Sequence, residues 1–280
     1  MSIATAVNVL RIAPSRPGST PGSMSLADHL REARARLIRC ALVLVAAFFV
    51  ALPFYDQLLA LVLGPYNQAQ TLIGADTVST AYVAGATGPL MLNLKLCGTA
   101  ALVAASPYWL WQAWSFVVPG LLEREKRWSK VFAAVAGPLF IAGVALGYYV
   151  LPKGLGVLIG FTPAGMENLV EFGDYFSFFS RMLLVFGLAV EIPFFLVLLN
   201  LAGVVTGAQL GRHRSVILMA AVIFAAVATP STDPFSMLML AIPMMVLFIL
   251  AEVVTRAIDR RRASRALAHV APSVVDRTED

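Results

Sequence analysis

Ser106–Lys130 reads SPYWLWQAWSFVVPGLLEREKRWSK, an apolar, aromatic segment that breaks at Pro119-Gly120 into a dense run of mixed charge. The first part suits hydrocarbon and its aromatic boundary, whereas the charges that follow belong in water. The stretch therefore reads as a membrane exit followed by a short loop that presents the carboxylates of Glu123 and Glu125 to something cationic.

Composition agrees with that local reading. The chain is 59% hydrophobic and only 13% charged, and its mean hydropathy is +0.79, the profile of a polytopic membrane protein. Apolar runs long enough for a hydrocarbon core of about 30 Å place six helices at about 37 to 55, 88 to 111, 131 to 151, 175 to 201, 215 to 229 and 236 to 252. The runs are continuously apolar instead of alternating, which favours helices over a barrel and makes the expected fold an all-α bundle. Cys40 and Cys97 fall inside these runs, so they read as small packing residues and not as a disulfide framework. A net charge of +5 raises nucleic acid as a partner. The basic residues nevertheless sit beside spans instead of forming one stripe with interleaved aromatics, so no nucleic acid is expected.

Placement of Lys and Arg orients the bundle. With the N-terminus cytoplasmic, that side receives Arg11 through Arg39, then Arg124, Lys126, Arg127 and Lys130, then Arg212 and Arg214, then Arg256 through Arg277. Lys95, Lys153 and Arg181 remain; Lys95 and Arg181 read as anchors that snorkel outward from their spans. The asymmetry predicts six spans with both termini cytoplasmic, and outward loops at about 56 to 87 and 152 to 174. The last two spans are short, reaching about 22 and 25 Å at 1.5 Å per residue, so the bilayer thins there or protein shelters their ends. Between them Thr229-Pro230-Ser231-Thr232-Asp233-Pro234 makes a tight outward turn. Residues 1–23 are rich in Pro, Ser and Gly and read as a disordered leader, 24–256 as the six-helix unit, and 257–280 as a basic, then polar tail. Met24 offers a second translation start, with Ser25 and Asp28 spaced as a capping box.

Chemistry concentrates in few places. Glu32 and Arg36 are i, i+4 neighbours, which describes either a salt-bridged interfacial helix or, with Glu123 or Glu125, a carboxylate pair that binds guanidinium groups through parallel hydrogen bonds. Trp111 and Trp114 fit an aromatic belt, while Phe116 stands where a ring can support the apolar part of a peptide beside Glu125. Glu191 sits well inside LLVFGLAVEIPFFLVLLN, where a charge is costly. Two readings stay open for it: a kink partner for Pro193, satisfying a carbonyl that the proline frees, or a partner-helix or proton-linked site. His29 and His213 lack a third ligand at metal spacing, and no Walker loop, dinucleotide turn or nucleophile elbow occurs, so no metal, cofactor or catalytic group is expected.

These residues resemble the TatC family, the multispanning core of the twin-arginine protein translocase. The likeness lies in HL-x-E-x-R-x-RL at His29–Leu37, SP-x-x-x-x-Q-x-W-x-F at Ser106–Phe116 and PGL-x-x-x-E-(K/R)-R at Pro119–Arg127. It continues in FG-x-x-x-E-(V/I)-P at Phe186–Pro193 and in the TP, D-x-(F/I)-S and LAIP elements between Thr229 and Pro243. The resemblance implies a non-enzymatic receptor for twin-arginine signal peptides of folded cargo in a bacterial cytoplasmic membrane. Glu32, Arg34, Phe116 and Glu125 would carry the peptide. Single-span TatA-like and TatB-like partners would dock near Glu191, Thr229, Asp233 and Met237 in a homo- and hetero-oligomer, and the proton motive force would power transport.

The chain departs from the family pattern at several positions. Ala33 stands where the N-terminal motif usually has Leu, Ser231-Thr232 lengthens the last turn, Met237 stands where many relatives have Gln, and Glu123 adds an acid to the first loop. The rival reading is a secondary transporter of a small solute or ion with Glu191 as coupling group, for which no repeat between halves is visible; a second rival is a noncatalytic scaffold for other membrane helices.

Overall fold

The computed structural model describes residues 26–73, 79–117, 123–163, 166–229 and 233–275. The helices are α1 (Leu26–Ala51), α2 (Tyr55–Ile73), α3 (Gly88–Ala104), α4 (Ser106–Val117), α5 (Glu123–Gly160), α6 (Phe172–Ala202), α7 (Gly207–Arg212), α8 (Arg214–Ala228) and α9 (Pro234–Val275). Four helical stretches are long and apolar enough to cross a membrane: His29–Leu72, Ala134–Gly160, Phe172–Ala202 and Pro234–Ser264. The pair α3 and α4, bent by 57°, is apolar enough to make a fifth if the two form one span, and α8 is apolar but shorter, at 15 residues. The leader, the second start and the Ser25 end of the expected capping box lie outside the described residues, as do 230–232 of the outward turn.

The elements differ from expectation chiefly at prolines. Residues 56–73, expected in a loop, are helical, because Pro53 sits in the first turn of a 3₁₀ segment, Leu52–Phe54, where its missing N–H costs nothing. Farther along, Pro65 lies inside α2 and deprives the Leu61 carbonyl of its helical donor. The Tyr148 hydroxyl of α5 donates to that carbonyl at 3.0 Å, and Tyr175 of α6 donates to the Val62 carbonyl at 2.6 Å. At Pro107 the opposite happens: the expected straight span of about 88 to 111 bends by 57° between α3 and α4. Trp109 Nε1 then donates to the Leu102 carbonyl at 3.0 Å, satisfying an acceptor the bend exposes.

The core is built around α5 and α6. Lipid is as apolar as leucine, so close fit rather than expulsion of water holds these helices together. Gly143 and Gly147 of α5 abut Phe186 and Gly187 of α6, and a Cβ on Gly187 would lie 2.6 Å from the Phe140 ring. Phe140, Phe176, Phe186 and Met182 are fully buried there. One end of the bundle is closed by an element the all-helical expectation lacked. Strands β1 (Ser79–Tyr82) and β2 (Asn168–Glu171) pair in parallel, Ser79 opposite Asn168. Tyr66 reaches from α2 to the Ser79 hydroxyl at 2.8 Å, and Gln70 donates to the Ser79 carbonyl.

At the other end α6 stops at Gly203, whose φ of +85° supplies the left-handed cap. Thr206 and Gln209 form a reciprocal capping box that starts α7. Helix α8 is short, 15 residues, as expected. Helix α9 is not short as a helix: it runs for 42 residues, and only its apolar part ends near Glu252.

Candidate functional site

At the end of the bundle where α1 begins and α4 finishes, side chains from both helices meet. Arg36 donates to Glu32 Oε1 through Nε at 3.1 Å and Nη2 at 2.5 Å, and its Nη1 donates to the Gln112 carbonyl at 3.3 Å. The first half of α1 is thereby tied to the middle of α4. The His29 ring stacks on Phe116 with centroids 4.2 Å apart, while Arg34 is exposed. Glu125 lies in the first turn of α5, but its side chain, like that of Glu123, falls outside the described residues, so the carboxylate pairing with Glu32 does too.

Beneath this cluster an apolar groove of about 490 Å³ runs between α1, α4 and α6, lined among others by Ala33, Leu37, Cys40, Ala113, Phe116 and Leu188. Sequence reasoning found Phe116 but not the groove. Its one available signal was Ala33, a small residue at the α1 surface that leaves the mouth open.

Glu191 is buried in α6 at 7% exposure. The Trp114 side chain hydrogen-bonds its carboxyl, and the same indole packs on Phe195 at 5.1 Å. The other oxygen, Oε1, is buried without a partner. Among the described residues no contact joins Glu191 to a carbonyl freed by Pro193.

The remaining predicted positions gather elsewhere. Thr229 is buried where α8 ends, Asp233 Oδ1 accepts the Ser236 N–H at 2.6 Å and so caps α9, and Met237 packs against the main core. Phe235 beside them meets Phe161 at 5.2 Å, at the far end of α5. Glu191 thus belongs with α4, and Thr229, Asp233 and Met237 form a separate group at the α8–α9 turn.

A network that sequence reasoning missed locks the end of α6 to α9. Arg214 grips Glu252 with Nε and Nη2 at 2.9 and 2.8 Å, and Arg256 joins it at 2.6 Å. Asp259 accepts from Gly207 N at 2.7 Å and from Asn200 Nδ2 at 2.9 Å, while Arg262 covers the Asn200 and Leu201 carbonyls. Arg256 and Glu252 are i, i+4 neighbours on α9, but the other partners lie about 40 to 60 residues apart, a separation that helical spacing rules do not reach. Among the described residues no group of His, Cys, Asp and Glu is arranged to hold a metal.

A predominantly helical, multi-span membrane protein with an acid buried among its helices and an arginine–carboxylate cluster at one end is the class that fold and site define together. Residues 28–243 match the family described as Sec-independent protein translocase protein (TatC). A Sec-independent protein translocase protein TatC of Frankia casuarinae is 38% identical over 248 residues, covering 86% of this chain and 68% of the relative. That of Xylanimonas cellulosilytica is 38% identical, covering 89% and 92%. That of Corynebacterium kroppenstedtii is 36% identical over 90% of this chain, which spans 66% of the relative. A crystal structure of the twin-arginine translocase receptor TatC in DDM superposes with a TM-score of 0.66 at 27% identity, covering 81% of this chain and 99% of that one. The chain belongs to the TatC family, multi-span membrane components of protein transport.

Proposed function

We propose that this chain is the receptor and core subunit of a twin-arginine translocase, binding the signal peptides of folded proteins at the end of the bundle formed by α1, α4 and the start of α5. The observation that carries the reading is the junction at Phe116, where an apolar groove is lined by that ring and by Arg36, the guanidinium that Glu32 holds. Glu32 already holds a guanidinium, that of Arg36, so an arginine of a peptide competes for an acceptor suited to it. Arg34 and Glu125 complete the polar side of the site, and the groove takes the hydrophobic part of the peptide.

In this reading both termini are cytoplasmic, in a bacterial cytoplasmic membrane, as the Lys and Arg asymmetry favours. TatA-like and TatB-like single-span partners dock along the Glu191 face and the Thr229, Asp233 and Met237 turn, and the proton motive force drives export. Buried Glu191 with an unpartnered oxygen supports a polar docking point, because such an atom is costly unless something meets it.

Photocrosslinking from position 116 in membranes tests the receptor reading, with a twin-arginine precursor set against its Lys-Lys counterpart. Crosslinks to the Arg-Arg form alone are expected, whereas equal or absent crosslinking of both returns the chain to a transporter or scaffold role. Glu125→Gln is expected to weaken the same crosslink while the protein stays in the membrane; an unchanged crosslink removes Glu125 from the site.

A further inference from the structure

Three basic residues stand away from the basic loops, and one of them is accounted for: Lys153 lies over the Tyr149 ring at 4.6 Å. The other two, Lys95 of α3 and Arg181 of α6, come from distant parts of the chain to line one open groove of about 440 Å³. Thr99, Ser177 and Ser180 line it with them, and Leu102 supplies an apolar wall. Both cations are exposed, and among the described residues neither has a carboxylate within salt-bridge distance.

At 1.5 Å per residue Lys95 lies roughly 10 Å along α3 from Gly88 and Arg181 roughly 13 Å along α6 from Phe172, inside the apolar parts of their helices. Snorkelling serves a single cation on any face of a span. It does not explain why two like charges share one cleft, where they repel each other. The convergence calls for an anion.

The groove's chemistry narrows which anion. Ser177 spends its hydroxyl proton on the Gly173 carbonyl at 2.8 Å, and Ser180 on the Ser177 carbonyl at 3.2 Å. The charge must then come from the ammonium and the guanidinium, a point charge beside a planar fork, which together suit phosphate oxygens. Gly98 keeps the floor open, since a Cβ there would meet nothing within 4 Å. Basic pockets between membrane helices hold lipid headgroups in this manner, and the Leu102 wall gives acyl chains, which a free phosphate lacks, an apolar surface to follow.

We propose that the Lys95–Arg181 groove binds the phosphodiester headgroup of an anionic lipid, whose chains continue over the apolar wall. The site is independent of the peptide reading and does not include its residues. Purified protein in detergent, titrated with phosphatidylglycerol or phosphatidylcholine and read by native mass spectrometry, tests it. The wild type is expected to retain phosphatidylglycerol preferentially. Lys95→Gln with Arg181→Gln should lose about thirtyfold of that retention, from two basic groups of the usual worth at a lipid surface.

Gly98→Leu fills the groove with both charges in place and without a backbone clash, so it should lower retention as well. Equal retention of the two lipids by the wild type, or unaltered phosphatidylglycerol retention in Gly98→Leu or in the double variant, overturns the proposal. Displacement of the lipid by glycerol phosphate also overturns it, in favour of a free phosphate ligand.

Discussion

At the scale of single residues, Glu191 breaks the rule that a buried polar group finds partners for all its atoms. Trp114 serves one side of the carboxyl and nothing meets Oε1, so the residue adds little to the fold of the isolated chain. Glu191→Leu is therefore expected to leave the melting temperature in detergent unchanged or raised, by the equivalent of about 1 to 3 kcal/mol, while single-span partners no longer copurify. A marked loss of thermal stability with partners still bound would make Glu191 a purely structural residue. Tyr148 is the opposite case, a side chain whose polar atom repairs a backbone defect. Removing its hydroxyl strands the Leu61 carbonyl beside Pro65, at a cost of about 1 kcal/mol, the net worth of one hydrogen bond. Tyr148→Phe should lower the melting temperature, and adding Pro65→Ala, which restores an N–H to the helix, should recover part of the loss. Failure of that rescue would separate the tyrosine from the proline.

Among elements, the closest fits are made by glycines that sequence patterns do not single out. Val at Gly187 would drive a side chain into the Phe140 ring, and overpacking of this kind costs about 1 to 3 kcal/mol; a melting curve no lower than that of the wild type would show that α5 and α6 can separate cheaply. Gly211 matters through a different contact: a Cβ there would overlap the Arg256 guanidinium where it meets Glu252. Gly211→Val is expected to pry α7 off α9 and speed tryptic cleavage after Arg212, and unchanged digestion would mean the clamp is dispensable. Hydropathy made the long spans legible, because lipid demands unbroken apolar runs. It misjudged Pro53 and Pro107, since whether a proline starts a turn, bends a span or ends it depends on which neighbour satisfies the freed carbonyl. Strands β1 and β2, four residues each, are too short to carry a periodic signal; their register is set by the helices that bring them together and by Tyr66 and Gln70.

For the whole molecule, charge placement orients the bundle across the membrane, which the packing of one helix on another does not. Glu32 and Arg34 stand out in the sequence because charge is scarce beside an apolar span, and Phe116 because an apolar ring stands at the water boundary just before the charged loop. The groove below Phe116 and the meeting of Lys95 with Arg181 were not legible there, since both depend on helices that adjoin only after folding. The distribution of Lys and Arg makes a further claim about the assembled protein: the strand pair and the α8–α9 turn face away from the cytoplasm, and the long extension of α9 projects into it. Thr80 and Ser264 are both exposed and occupy the opposite ends. Single cysteines at these two sites, introduced after Cys40 and Cys97 are replaced, should differ sharply toward a membrane-impermeant maleimide added to intact cells. Position 80 should label from outside and position 264 only after the membrane is opened. The reverse pattern would invert the bundle and leave the Glu32 and Phe116 cluster facing away from newly made cargo, which no receptor for cytoplasmic signal peptides can tolerate.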